Sequence, residues 1–241
     1  MTNELAGQTV VLIGGSAGIG LETARRARGE GADVILVGRD PERLHHAAAE
    51  VDAQRTTALD ATNAAALEQF FDGLDRIDHV LVTAGGPHYV PLLELTADQV
   101  RDALSDHVVM ALDVARYAAP KMRPGGTLVL MGGTGGRKIG RNLGLMSAAT
   151  AVLPPFTATL ALELAPVRVN LIAAGFVDTP LSASLLGEEL DNRRNQLRAT
   201  LPIRRVVTPA DVAALAVHIM INTALTGATY DIDGGQQLVA G

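Results

Sequence analysis

The sequence predicts an α/β fold: a single doubly wound Rossmann-type domain over residues 1–241, a parallel sheet of about seven strands with helices on both faces. Three observations predict it. Short apolar runs alternate with helical segments along the whole chain, and that alternation builds parallel strands joined by right-handed crossovers. The runs lack polar alternation, as strands buried on both faces do. The first run ends in Gly14-Gly15-Ser16-Ala17-Gly18-Ile19-Gly20, glycines set between a strand and a helix. No linker, low-complexity segment or repeat of solenoid length divides the chain.

The elements follow in order. Thr9 to Ile13 is a buried strand and Gly18 to Glu30 a helix. Asp33 to Val37 is a second buried strand, and Pro41 opens a helix at its favoured first position. Thr56 to Leu59 reads as a weak strand, Ala64 to Leu74 as a helix and His79 to Val82 as a strand. Thr96 caps a long helix running toward Ala119. Gly126 to Met131 is a strand, Leu145 to Glu163 is helical and Arg168 to Ile172 is a strand. Helical segments cover Leu181 to Leu201 and Pro209 to Met220, and Thr229 to Ile232 closes the sheet. The glycine-rich, basic stretch Gly132 to Gly144 falls between a strand and a helix, the position of a functional loop.

Composition narrows the function. Hydrophobic residues are 48% of the 241 and aromatics only 3%, so Ala, Val, Leu and Ile must build the core. Scarce aromatics argue against stacking platforms for single-stranded nucleic acid. A net charge of -6 without a dense basic stretch argues against nucleic acid and anionic membrane as partners. The absence of cysteine excludes disulfides, thiolate zinc sites and cysteine nucleophiles, and fits a cytoplasmic location. No secretory signal and no uninterrupted apolar stretch of membrane-spanning length is visible. His45 and His46 fall on a surface helix, and no histidine–carboxylate spacing suggests a metal.

The glycine turn is placed to hold a dinucleotide. Gly14, Gly18 and Gly20 permit a tight turn and close approach of the backbone, while the helix start offers free amides and a positive end to a pyrophosphate. Three residues separate Gly14 from Gly18, a spacing that resembles the short-chain dehydrogenase/reductase family. Further pieces resemble that family along essentially the whole chain. They are Asp60 in Leu59-Asp60-Ala61-Thr62, the turn Thr83-Ala84-Gly85-Gly86, Leu160 to Asn170, Gly175-Phe176-Val177-Asp178-Thr179 and Leu225 to Gly235. The resemblance implies binding of a nicotinamide cofactor, with Gly14, Ser16, Gly18, Ile19, Gly20, Asp60, Ala84, Gly85, Gly175, Val177 and Thr179 around it. The second strand ends Gly38-Arg39-Asp40. Arg39 can pair with the extra phosphate of NADP, so NADP(H) is favoured over NAD(H), while Asp40 keeps NAD open.

The resemblance fails where the family does its chemistry. The family's tyrosine falls on Met146, its lysine on Thr150, its serine on Gly133 beside Thr134 and its asparagine on His107. Methionine donates no proton and threonine supplies no cation. Tyr117-Ala118-Ala119-Pro120-Lys121 matches Tyr-x-x-x-Lys as a string but precedes the Gly126 strand, so it is read as structural. His107 heads the replacement acids, followed by Tyr89, which with His88 follows the Gly85–Gly86 turn, and by Lys138. Lys138, Arg137 and Arg141 could balance an oxyanion or bind an acidic substrate from the loop over the cleft. Pro154 and Pro155 break or kink the helix beyond the lysine position. Arg193, Arg194 and Arg198 stand among Glu188, Glu189 and Asp191, a pattern read as a solvated face of the family's substrate lid. The expectation is an NADPH-dependent oxidoreductase acting on a small carbonyl or conjugated molecule with a non-standard proton donor. The alternative is a non-catalytic NADP(H)-binding sensor, scaffold or partner subunit. The resemblance also implies a homodimer or homotetramer.

Overall fold

The computed structural model describes residues 3–87, 89–137 and 140–239. Seven parallel strands form one sheet: β1 Thr9–Ile13, β2 Asp33–Gly38, β3 Arg55–Ala58, β4 Ile77–Val82, β5 Met122–Gly133, β6 Arg168–Ala174 and β7 Thr229–Ile232. Their order across the sheet is β3-β2-β1-β4-β5-β6-β7. Chain direction of build therefore reverses between β1 and β4, and a crevice opens there at the carboxyl ends of the strands.

Each strand is apolar because both of its faces are covered. Val11 and Ile13 of β1 join Ile35, Val37, Val80 and Val82 in one core with Phe70 and Phe71. Val10 and Leu12 join Val34, Leu36 and Leu81 in a second core on the opposite face. Helices α3 Ala64–Asp72, α5 Met110–Ala118 and α7 Leu153–Glu163 contribute to the first core. Helices α1 Gly18–Gly29, α2 Pro41–Val51 and α10 Pro209–Ile221 contribute to the second. Asp40 caps α2, accepting from the amides of Glu42 and Arg43. Lys121, half of the structural Tyr117–Lys121 string, donates to the carbonyls of Asp72 and Leu74 just beyond α3.

Several elements differ from the sequence expectation. The helix from Thr96 carries its expected cap, a reciprocal box with Gln99, but runs as α4 Ala97–Leu104 and α5 with a π-turn at Ser105–Val109 between them. The helical stretch Leu145–Glu163, by contrast, breaks at its prolines as expected, into α6 Gly144–Ala151 and α7, because Pro154 can occupy a first turn but not an interior. The lid segment is likewise divided into α8 Pro180–Leu186 and α9 Leu190–Thr200, parted at Gly187, whose φ is +50°. The segment Gly144–Glu163 is long and apolar enough to cross a membrane by length and composition, although its Ser, Thr and Pro residues keep it from being an uninterrupted apolar run. Leu153 and Leu160 on it are buried in the first core.

One buried histidine links the fold to pH. His79 on β4 is 2% exposed and lies 2.6 Å from Gln8 Oε1 through Nε2. The amide oxygen only accepts, so Nε2 carries the hydrogen, and Nδ1 is buried without a partner among the described residues. Burial, and then the charge of Arg168, pushes the imidazole down to about 3. An unfolded histidine titrates near 6.5. Between those values the unfolded chain takes up a proton that the native state refuses, so stability falls as pH drops through this window. The expected slope is up to about 1.4 kcal/mol per pH unit. Urea midpoints measured at neutral pH and near pH 5 should therefore separate, and His79→Asn should narrow the gap. An unchanged gap would assign the acid sensitivity to other groups.

Candidate functional site

The crevice at the β1–β4 reversal holds two adjoining cavities. The smaller, about 360 Å³, is lined by Gly14, Ser16, Arg39 and Asp60 among others. The larger, about 790 Å³, is lined by Ile19, Gly175, Val177 and Thr179 on one side and by the donor positions on the other. Thr83 to Pro87, Asp106, Met110 and Leu181 line both, so the cavities form one cleft, and Ala84 and Gly85 lie at their junction.

The glycine turn is built by backbone approach. Gly14 has φ +95°, and a Cβ there would meet Thr83 Oγ1 at 2.5 Å. A Cβ on Gly20 would fall 2.2 Å from the Gly14 carbonyl oxygen. The Thr83 hydroxyl donates toward the carbonyls of Ile13 and Gly14, at 3.2 and 3.1 Å, and so ties the end of β4 to the turn. Helix α1 begins at Gly18 with no side-chain cap and no acidic residue in its first turn. Its leading amides are therefore left to whatever enters the cleft. A Cβ on Gly18 would touch Thr179 at 3.6 Å, so the start of α8 faces the glycine turn. Gly18 and Gly20 shape this cradle from behind and line neither cavity.

This cradle fits the phosphates of a dinucleotide: close glycine backbone, free helix amides and no acidic side chain at the turn. At the far end, Arg39 is exposed and makes no hydrogen bond to a described residue. Asp60 Oδ1 accepts from the Thr62 amide and hydroxyl, which with the nearby charge of Arg39 holds its carboxyl below the ordinary range. Asp40, the residue that left NAD open, has one carboxylate oxygen engaged by the α2 amides and the other 3.5 Å from Arg43.

The donor positions converge. His107, Gly133, Thr134, Met146 and Thr150 all line the larger cavity. The Thr150 hydroxyl is turned back onto its own helix, 2.7 Å from the Met146 carbonyl. A Cβ on Gly133 would meet Thr150 Cγ2 only at 3.6 Å, so the site has room where a serine would stand. His107 sits in the π-turn with Nδ1 3.0 Å from the Ala103 carbonyl. A carbonyl only accepts, so Nδ1 carries a hydrogen and Nε2 is the atom that can exchange one. Tyr89 also lines the cavity, although it is 54% exposed. Partial desolvation raises its phenol above the ordinary value, with Arg193 opposing the shift. That direction gives no activation as an acid near neutrality.

Three expectations about cations change. Arg137 does not face the cleft: it forms a bidentate pair with Asp231 on β7, 2.8 Å for one of the two contacts. The pair holds the Asp231 carboxyl low and leaves Arg137 unable to serve an oxyanion. Arg141 is exposed and lines neither cavity. Lys138 and His88 lie outside the described residues. Arg193, by contrast, is not on a solvated face but lines the larger cavity. Its charge pattern in sequence hid this, because the break at Gly187 resets the helical register of α9.

The chain matches the family model described as enoyl-(acyl carrier protein) reductase over residues 14–237. It is 31% identical to an uncharacterized oxidoreductase of Mycobacterium tuberculosis, over 95% of this chain and 91% of that protein. It is 28% identical to carbonyl reductase family member 4 of Xenopus tropicalis, over 94% and 97% of the two chains. Among solved structures, the MalC reductase/Diels-Alderase of Malbranchea aurantiaca shares the fold at a TM-score of 0.91 and 24% identity, covering 99% of both chains. A small-chain dehydrogenase in complex with NADPH aligns at a TM-score of 0.83 and 25% identity, over 96% and 99%.

Proposed function

Because the chain belongs to the short-chain dehydrogenase/reductase family, we propose that its cleft binds NADP(H) and reduces an apolar carbonyl or conjugated substrate with His107 as proton donor. One observation carries the reading. All of the positions where the family keeps its acid, its cation and its carbonyl-orienting hydroxyl line one cavity, and His107 lines it too, with a ring nitrogen that can pass on a proton.

The nucleotide half is supported by the fit of the cradle and by the NADPH complex of a structural relative. The Gly14–Gly20 turn and the first amides of α1 would hold the pyrophosphate, with Thr179 on its other side. Asp60 would lie beside the adenine, and Arg39 would pair with the 2′-phosphate. The capping duty of Asp40 weakens the case for NAD. When bound, NADPH supplies a hydride to the substrate carbon. The protein's part is to orient the acceptor between Met146 and the Thr83–Pro87 turn, exclude water with α8, and deliver a proton. His107 as imidazolium would give that proton from Nε2 to the oxygen that gains charge, while the Ala103 carbonyl keeps the ring in place through Nδ1. A relative named carbonyl reductase supports a carbonyl as acceptor.

A second reading, a non-catalytic NADP(H)-binding sensor, scaffold or partner subunit, is favoured by Met146 and by Thr150, whose hydroxyl is already engaged. NADPH oxidation across ketones, enones and quinones separates the two. The enzyme reading expects turnover, and His107→Gln should lower kcat by about 100-fold or more with NADPH affinity kept. Turnover undiminished in that variant would remove His107, and binding without any turnover would favour the sensor. We also propose association of copies through the long helices, where Val109, Leu112, Val152 and Leu162 present apolar side chains to solvent. Nucleic acid and membrane are not proposed as partners.

A further inference from the structure

Several arginines of the second half of the chain are already neutralised. Arg137 is paired with Asp231, Arg205 with Asp211, and Arg194 with both Asp178 and Asp191. Arg193 has no carboxylate partner among the described residues, yet it lines the larger cavity. Its guanidinium is nonetheless held in place. Nη1 donates to Gln196 Oε1 at 2.7 Å, and Cζ lies 5.9 Å from the centroid of the Phe176 ring. Those contacts engage one edge and one face of the fork and leave further N–H groups for a ligand.

The surroundings are apolar. Leu181, Leu185 and Leu186 of the lid helix line the same cavity. Leu181 and Leu185 are about half exposed at its mouth, at 48% and 47%. Tyr89 lines the same cavity, so its wall carries a hydroxyl donor as well as a cation. Arg193 is half-buried, and an oriented guanidinium without a carboxylate partner in an apolar cavity offers charge-assisted hydrogen bonds to an anion on what enters it. The planar fork matches a carboxylate best.

We infer that the cavity takes an apolar substrate carrying one carboxylate, and that Arg193, assisted by the Tyr89 hydroxyl, is the specificity-determining residue that reads it. This rests on the reductase reading above. The carboxylate docks at the lid, the apolar body lies along the leucines, and the reducible group reaches the His107 side of the cavity.

The test uses the full chain, saturated with NADP⁺, in calorimetric titrations with 3-benzoylpropanoate and with its methyl ester. The acid should bind about tenfold or more tightly than the ester. Arg193→Leu should abolish that preference, and Arg193→Lys should restore part of it. Equal binding of acid and ester by the natural chain would overturn the inference, as would an acid preference that survives Arg193→Leu. Failure of the acid to bind at millimolar concentration would overturn it too. A prior titration with NADPH separates the two levels. If NADPH binds to the natural chain and to Arg193→Leu alike but no acid preference exists, the carboxylate inference fails alone; if NADPH does not bind, the reductase reading fails with it.

Discussion

Replacing Gly20 with alanine is expected to abolish useful NADPH binding. The new Cβ would lie 2.2 Å from the Gly14 carbonyl oxygen, 2.9 Å from its carbon and 2.9 Å from Thr83 Oγ1. Two of those atoms are backbone and cannot swing aside as a side-chain tip could. The turn must move outward, and the amides it offers to phosphate move with it. A loss of about 100-fold in NADPH affinity is expected, since about 2.7 kcal/mol corresponds to that factor and displaced amides lose charge-assisted bonds. Overpacking should also cost about 1–3 kcal/mol of stability. Gly29→Ala is the control, because a Cβ there meets nothing within 4 Å. It should keep both properties, and equal affinity in Gly20→Ala would show that the cleft does not hold its ligand through this turn.

The largest effect on stability is expected at Arg168. It is 6% exposed on β6 and donates to five carbonyls. Nε reaches Gly125 at 3.1 Å, Nη2 reaches Met220 at 2.8 Å, and Nη1 serves Ile219, Asn222 and Leu225 at 2.8, 3.2 and 3.0 Å. Ile219, Met220 and Asn222 are the end of α10, whose last carbonyls have no intrahelical donors and gain from a cation there. Burial pulls the Arg168 pKa below its usual value, but the group stays a cation at any ordinary pH. Arg168→Met keeps most of the volume and removes every donor. It should cost about 3 kcal/mol or more, because each buried acceptor left alone costs about 1–3 kcal/mol. For a chain of this size that lowers Tm by roughly 6–12 °C. Arg168→Lys should recover only part, because an ammonium has fewer donors and no planar fork. A Tm within about 2 °C of the natural chain in Arg168→Met would contradict this account.

Much of the architecture was legible because it is local chemistry. Apolar runs buried on two faces, Pro41 at a helix start, and Thr96 with Gln99 in a capping box each carry their own signal. The seven strands therefore lie where periodicity puts them, within a few residues at their ends. The breaks were less legible. Nothing in Ser105–Val109 announces a π-turn, which depends on packing rather than propensity. Gly187 could have warned that the lid is two helices, and with it that Arg193 and Arg194 part ways, one to the cavity and one to Asp178. Arg137 shows the opposite limit. Its partner Asp231 is ninety-four positions away in sequence, and only the closing of β7 beside β6 brings them together. The convergence of His107, Gly133, Met146 and Thr150 on one cavity was legible through the family resemblance, whereas what fills the vacated chemistry is set by the shape of that cavity.

The cleft proposed here is selective for the 2′-phosphate and lies beside a cavity in which His107 stands in for the family's usual proton donor. Calorimetric titration of the full chain with NADPH and NADH, repeated on Arg39→Leu, tests it most directly. Micromolar NADPH binding is expected, tighter than NADH by about tenfold or more, with the preference lost when Arg39 is replaced. No heat of binding from either nucleotide at millimolar concentration, or equal affinity for both that Arg39→Leu leaves unchanged, would contradict it.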